Sequence, residues 1–278
     1  MESMKIVVTG AKGFIGSRLS AALKAAGHEV HGLDVGDDFS ALDAVRPIDV
    51  FYHLAWNGAR GPARADYALQ IENVKMSLDY HERACALGAR RFVCAGTIGE
   101  LMAESPECAG IKSQNFVYVN AKGFLRRLLE IRETPTCKVV WARLGNLYGG
   151  DLRGNLVDFT VGKLANGERA DFGPAAQPYD FVHVEDAIRG LVLLGTSPEE
   201  VRGAYYVGSG RCDRLADWLR EIGCIAGKPE LIGIGVRPDD GTRYCAEWFS
   251  IDALKSLGYA PQVSFCQGIA ELMAEGSR

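Results

Sequence analysis

Apolar positions in the first half of the chain alternate between two spacings. "KIVVTG", Lys5 to Gly10, is a short unbroken apolar run closed by glycine, as in a strand buried on both faces of a parallel sheet. "GFIGSRLSAALKAAG" then places Ile15, Leu19, Leu23 and Ala26 at helical spacing, with Gly27 set to end the helix. "EVHGLD" returns to the strand pattern, and "DVFYHLAW" repeats it. From Asp66 to Leu87 the stripe Ile71, Val74, Leu78 and Cys85 predicts a helix, followed by a strand at "RFVCAG", a helix from near Tyr118 and a strand at "KVVWARLG". Repeated strand and helix units of this size predict an α/β fold with a doubly wound parallel sheet. After Tyr148 the chain becomes rich in Gly, Pro and charge, which sets a domain boundary near Gly150. Residues 1–150 form one domain and 151–278 a second, smaller one, with the regular strand and helix of 179–196 expected to pack back on the first.

Composition narrows the function. A net charge of -4, a pI near 5.8 and the lack of any Lys/Arg block leave no footprint for nucleic acid, so a small-molecule substrate is expected. No apolar run has membrane-spanning length. "MESMKIVVTG" lacks the regions of a signal peptide, and a cytoplasmic location is expected. Eight cysteines show no C-x-x-C pair and no clustered His, which predicts reduced structural thiols and no metal site.

In "TGAKGFIG" the glycines Gly10, Gly13 and Gly16 lie between a strand and a helix, where glycine permits a tight turn and lets a pyrophosphate approach the backbone and helix N-terminus. Asp34 ends the second strand 18 residues beyond Gly16, the place of a carboxylate that accepts from an adenosine ribose. The first domain is therefore read as a Rossmann-type dinucleotide-binding unit. Asp34 would repel a 2′-phosphate and no Arg or Lys follows in "VGDD", so NAD is the expected cofactor, with NADP left open.

"YVNAK" sets Tyr118 and Lys122 one helical turn apart, on one face. With "TGAKGFIG", "YHLA", "RLGNLYG", "YDFVHVEDA", "RPDD" and "LGYAP" in order along the chain, the sequence resembles the extended short-chain dehydrogenase/reductases, within them the NAD-dependent epimerase/dehydratase family acting on nucleotide sugars. The resemblance implies Tyr118 as acid/base, Lys122 as its electrostatic partner and a holder of the nicotinamide ribose, and Thr97 as a hydroxyl on the same reacting oxygen. Lys122 and the cofactor's positive ring would favour the phenolate. It implies cofactor contacts from Gly10, Gly13, Phe14, Ile15, Gly16, Asp34, Asp38, Phe39, Leu54 and Ala55. Thr97, Asn146, Asn155, Arg237 and Asp240 would meet the nucleotide sugar, the partner substrate. Asn73 matches a structural or proton-relay position outside the site. A homodimer paired through helices of the cofactor domain is expected by analogy.

Several positions depart from the family pattern. A helix and third strand usually follow the ribose-binding acid, yet Asp34 runs directly into "DDFSALDAV", so Asp38 and Phe39 are expected to meet the adenine from a shortened loop. Ile98 and Gly99 stand where dehydratases carry acids after the catalytic Thr, which disfavours dehydration, and Glu100 reads as a surface residue. Tyr179 replaces an Arg common in the epimerases and suggests the 4-ketoreductases. His183 reads as a packing residue. The expected activity is hydride transfer at C4 of a nucleotide sugar, by epimerisation or keto reduction. The alternatives are a reductase of a non-sugar ketone or aldehyde and a non-catalytic nicotinamide-sensing regulator.

Overall fold

The computed structural model describes residues 2–108 and 115–276. Its first half runs β1 (Lys5–Thr9), α1 (Phe14–Ala25), β2 (Glu29–Leu33), β3 (Val50–His53), α2 (Tyr67–Ala86), β4 (Arg91–Thr97), α3 (Glu100–Glu104), α4 (Asn115–Arg132) and β5 (Lys138–Leu144). Then follow β6 (Asn146–Tyr148), α5 (Leu156–Ala165), β7 (Ala170–Asp171), β8 (Pro178–Tyr179), β9 (Phe181–His183), α6 (Val184–Thr196), β10 (Gly203–Val207), β11 (Asp213–Arg214), α7 (Leu215–Ile225), β12 (Ile232–Gly233), α8 (Asp252–Lys255) and α9 (Phe265–Gly276).

The main sheet has the order β10-β5-β4-β3-β1-β2, and β1 pairs in parallel with both β2 and β3. The chain reverses its winding between β1 and β3, where open α/β sheets hold their ligands beyond the strand C-termini. β3 is buried at all four positions and β4 at five of seven, as unbroken apolar runs require. β2 is the sheet edge, as a missing third strand implies, but the connection from β2 to β3 is not a plain loop. Phe39–Val45 forms a 3-10 helix capped by Asp38, whose carboxylate accepts from Ser40 N at 2.8 Å. The Asp38 and Ser40 pair supplies the start signal that a short window conceals.

The stripe expected on α2 is displaced. Ile71 is 68% exposed, while Gln70, Asn73, Val74, Ser77, His81 and Ala84 face inward. Three of these polar residues tolerate burial because they are paired. Gln70 accepts from Trp56 Nε1 at 2.8 Å, Asn73 exchanges two bonds with the backbone of Asn57 at 2.9 and 2.8 Å, and Ser77 meets His53 at 2.8 Å.

Backbone contacts divide the chain into Met1–Leu144 with Ile188–Tyr205, and Gly145–Ala187 with Tyr206–Arg278. These bounds differ from the boundary near Gly150 and from the returning segment 179–196. Asp180 explains the difference: it is buried within the second unit, accepting from Tyr206 Oη and Ser209 N at 2.9 Å each. Each unit has its own apolar core, the first including Val7, Phe51, Phe92 and Trp141, the second Tyr148, Phe181, Trp218 and Phe265. No helix among the described residues is long and apolar enough to cross a membrane.

Candidate active site

The glycine turn is built as tightly as its spacing implies. Gly10 has φ +70°, and a Cβ there would stand 2.9 Å from Ala55 N. A Cβ on Gly16 would stand 2.0 Å from Gly10 O, so both positions require glycine. Gly13 caps α1 with no side-chain hydrogen bond, leaving the first-turn amides of Phe14, Ile15 and Gly16 to a ligand or solvent. Leu54 and Ala55 are held against the turn, Leu54 N donating to Thr9 O at 3.2 Å and Ala55 N to Thr9 Oγ1 at 3.4 Å.

Asp34 accepts from Lys12 N at 3.3 Å, and the Lys12 ammonium lies 3.6 Å from its other oxygen. A cation does therefore stand beside Asp34, contributed by the glycine turn and not by the residues after it. Asp38 is engaged with Ser40, whose hydrogen bonds hold its carboxyl below the usual range. The Phe39 ring packs 4.8 Å from Tyr80, and both line a groove of about 430 Å³ with Val35, Gly36, Met76 and Arg83 among its walls.

Tyr118 and Lys122 share one face of α4. Lys122 is 4% exposed, donates from Nζ to Ala95 O at 2.8 Å and sits 3.6 Å from the centre of the Trp56 ring. Burial pushes its pKa down to about 8. Thr97 ends β4 two residues beyond Ala95, and its hydroxyl accepts from Gly99 N at 3.3 Å. A Cβ on Gly99 would meet Val119 Cγ1 at 2.9 Å and Thr97 Oγ1 at 3.6 Å, so Gly99 lets α4 close on the Thr97 hydroxyl.

Burial pushes the Tyr118 phenol up to about 12. The cation opposing burial is Arg64, whose guanidinium lies 4.4 Å from the ring centre. Trp56 meets the same ring edge-on at 6.0 Å. Sequence reading passed over both residues, and only "HLAW" gave any signal, by ending a strand of the cofactor domain in an aromatic. Arg64 lies in an irregular connection with no spacing to mark it.

Glu100 is not a surface residue. It is fully buried, accepting from Trp141 Nε1 at 2.8 and 2.9 Å and from Arg143 Nε at 2.6 Å. Burial raises its carboxyl pKa, against the pull of Arg143. The partners come from β5, over forty residues away in sequence, which is why local register did not show them.

In the second unit both ends of the Asn146 side chain are engaged, Nδ2 with Asp180 O at 3.1 Å and Oδ1 with Tyr179 Oη at 3.0 Å. Asn155 caps α5, accepting from Asp158 N at 2.9 Å and donating to Leu152 O at 3.1 Å. Arg237 and Asp240 line a cavity of about 370 Å³ whose walls include Phe172, Phe159 and Gln177. His183 packs edge-on against Tyr148 at 5.3 Å, and its Nδ1 accepts from Glu185 N at 3.3 Å.

Residues 6–208 match the family described as NAD dependent epimerase/dehydratase. The chain belongs to this family. It is 26% identical, over 276 aligned positions covering 82% of each protein, to a dTDP-4-dehydro-6-deoxy-D-allose reductase of Streptomyces bikiniensis. It is 27% identical over 219 positions to a dTDP-6-deoxy-L-talose 4-dehydrogenase (NAD(+)) of Aggregatibacter actinomycetemcomitans, covering 66% of this chain and 77% of that one. Its fold matches that of the UDP-glucose 4-epimerase of Thermus thermophilus, solved as a complex with NAD, with a TM-score of 0.76 at 22% identity over 99% of both chains. The family's dinucleotide fits the residues present, since Gly10 and Gly16 exclude any side chain from the turn and Asp34 lies at the end of β2.

Proposed function

We propose that this protein is an NAD-dependent oxidoreductase acting at C4 of a nucleotide-activated sugar, in the direction of 4-keto reduction. One observation carries the reading: Lys122 is anchored on Ala95 O, beside Thr97, and presents Tyr118 one turn away on the same face of α4. When bound, the reduced nicotinamide would supply the hydride. With its pKa near 12, Tyr118 is protonated at neutral pH and is a proton donor to a sugar carbonyl oxygen. Thr97 donates a hydrogen bond to that same oxygen. The Lys122 ammonium stabilises charge as the proton leaves the phenol.

The curated relatives' dTDP-linked substrates support a pyrimidine nucleotide, and the cavity bearing Arg237, Asp240 and Phe172 suits a base and ribose. Asn146 and Asn155 shape that unit through the bonds described. The Phe39 and Tyr80 groove is assigned to the adenine end of the cofactor. Exposed apolar side chains on the neighbouring helices α2 and α4, at Tyr67, Ile71, Phe124 and Ile131, favour a homodimer.

The test is to denature purified protein, identify any released nucleotide by mass spectrometry, and assay dTDP- and UDP-linked 4-keto and 4-hydroxy sugars. Turnover of a 4-keto sugar with added NADH supports the reading. Conversion of a sugar nucleotide by retained NAD, without added cofactor, would make it an epimerase. Turnover of non-sugar carbonyls alone, or none with bound NAD, would replace it by one of the other two alternatives.

A further inference from the structure

We propose that His81, Cys85 and Cys137 form a zinc-binding site in the first unit, independent of the oxidoreductase chemistry. The sequence held no C-x-x-C pair and no clustered His, but folding brings three such residues together: a ring nitrogen of His81 and the Sγ atoms of Cys85 and Cys137 all lie within 4.8 Å of one another. His81 and Cys85 are one turn apart on α2 and share a face. Cys137 comes from the turn that leads into β5, where its N donates to Thr134 Oγ1 at 2.9 Å and fixes the approach.

The spacing suits a single tetrahedral centre. Thiolate and imidazole ligands at about 2.3 and 2.0 Å from zinc stand about 3.5 to 3.8 Å apart. Cys85 Sγ lies 3.8 Å from His81 Nε2. Bringing the widest of these separations to that spacing takes a movement of up to about 1.3 Å, and the partly exposed Cys85 leaves the fourth position open to water. Two thiolates would neutralise the divalent ion, and their two protons leave on binding.

His81 is 2% exposed, its Nε2 faces the Cys85 sulfur at 3.8 Å, and the Phe92 ring holds it edge-on at 5.1 Å. A buried imidazole oriented by an aromatic ring, with thiols as its neighbours, is better accounted for as a ligand than as part of a hydrogen-bond network. The site is far from the reacting residues. Lys138 pairs with Arg91 and Leu144 with Thr97, so Cys137 lies about 20 Å from Thr97 along the strands. The ion would pin the end of α2 to the entry of β5 and take no part in hydride transfer.

The full-length protein, reduced with a phosphine and freed of metal, is titrated with Co(II) and then Zn(II). The expected result is a thiolate-to-cobalt charge-transfer band saturating at one equivalent per chain, abolished by zinc and lost in both Cys85→Ser and His81→Gln. The band persists in Cys224→Ser, an exposed thiol elsewhere. Reductase or epimerase turnover stays unchanged in all three variants, which separates failure of this proposal from failure of the functional one. A wild-type protein with no band, a band that survives Cys85→Ser, or recovery of Cys85 and Cys137 only as a disulfide would overturn it.

Discussion

Tyr118 combines a phenol raised by burial with an unexpected neighbour, the Arg64 guanidinium. Removing its hydroxyl in Tyr118→Phe should lower turnover by about three orders of magnitude or more and leave NAD affinity within about twofold, measured by steady-state kinetics and cofactor titration. The Lys122 charge sets an upper pH limit. Its pKa, depressed to about 8, means that the ammonium is present below that value and lost above it, so the rate of keto reduction should decline as pH rises through about 8. A rate that climbs steadily from pH 7 to 10 would remove Lys122 from the charge balance. At the other end of the cofactor site, Asp34 faces the Lys12 ammonium at 3.6 Å. Asp34→Asn should narrow any preference for NAD over NADP, because it removes the repulsion and leaves the cation in place.

Elements decide what the sequence reveals. The glycine turn and Tyr-x-x-x-Lys were legible because each is local: one depends on a strand-turn-helix, the other on a single helical turn. Glu100 was not legible, because its partners Trp141 and Arg143 arrive from β5 and turn a polar residue into the buried anchor of α3. The buried face of α2 was hidden for the same reason, since Gln70, Asn73 and Ser77 are bonded to the ends of β3 and the segment after it. Arg64 reaches Tyr118 from an irregular segment that no periodicity marks. Glu100→Ala would leave Arg143 and the Trp141 indole unpaired in a dry site, at a cost of about 3 kcal/mol or more in urea unfolding. Asp180 adds a test by pH. Burial raises its pKa to about 6, so its contribution to stability is present below the unfolded value and lost as pH rises through 6. Relative to Asp180→Asn, the wild type should lose about 2 to 3 kcal/mol between pH 4 and pH 7.

For the whole molecule, the proposed pairing through α2 and α4 rests on four large apolar side chains that are 57 to 79% exposed. The double variant Ile71→Asp, Ile131→Asp should sediment as a monomer if the wild type sediments as a dimer, and an unchanged dimer would move the interface elsewhere. Two cores in one chain have a practical consequence as well. Trp141 is fully buried in the first and Trp218 in the second, each 1% exposed. Each unit therefore holds one fully buried indole beside a more exposed one, Trp56 in the first and Trp248 in the second. With those two replaced by phenylalanine, removing Trp141 or Trp218 in turn assigns the blue-shifted emission to a single core, so a denaturation followed by light reads the two units separately.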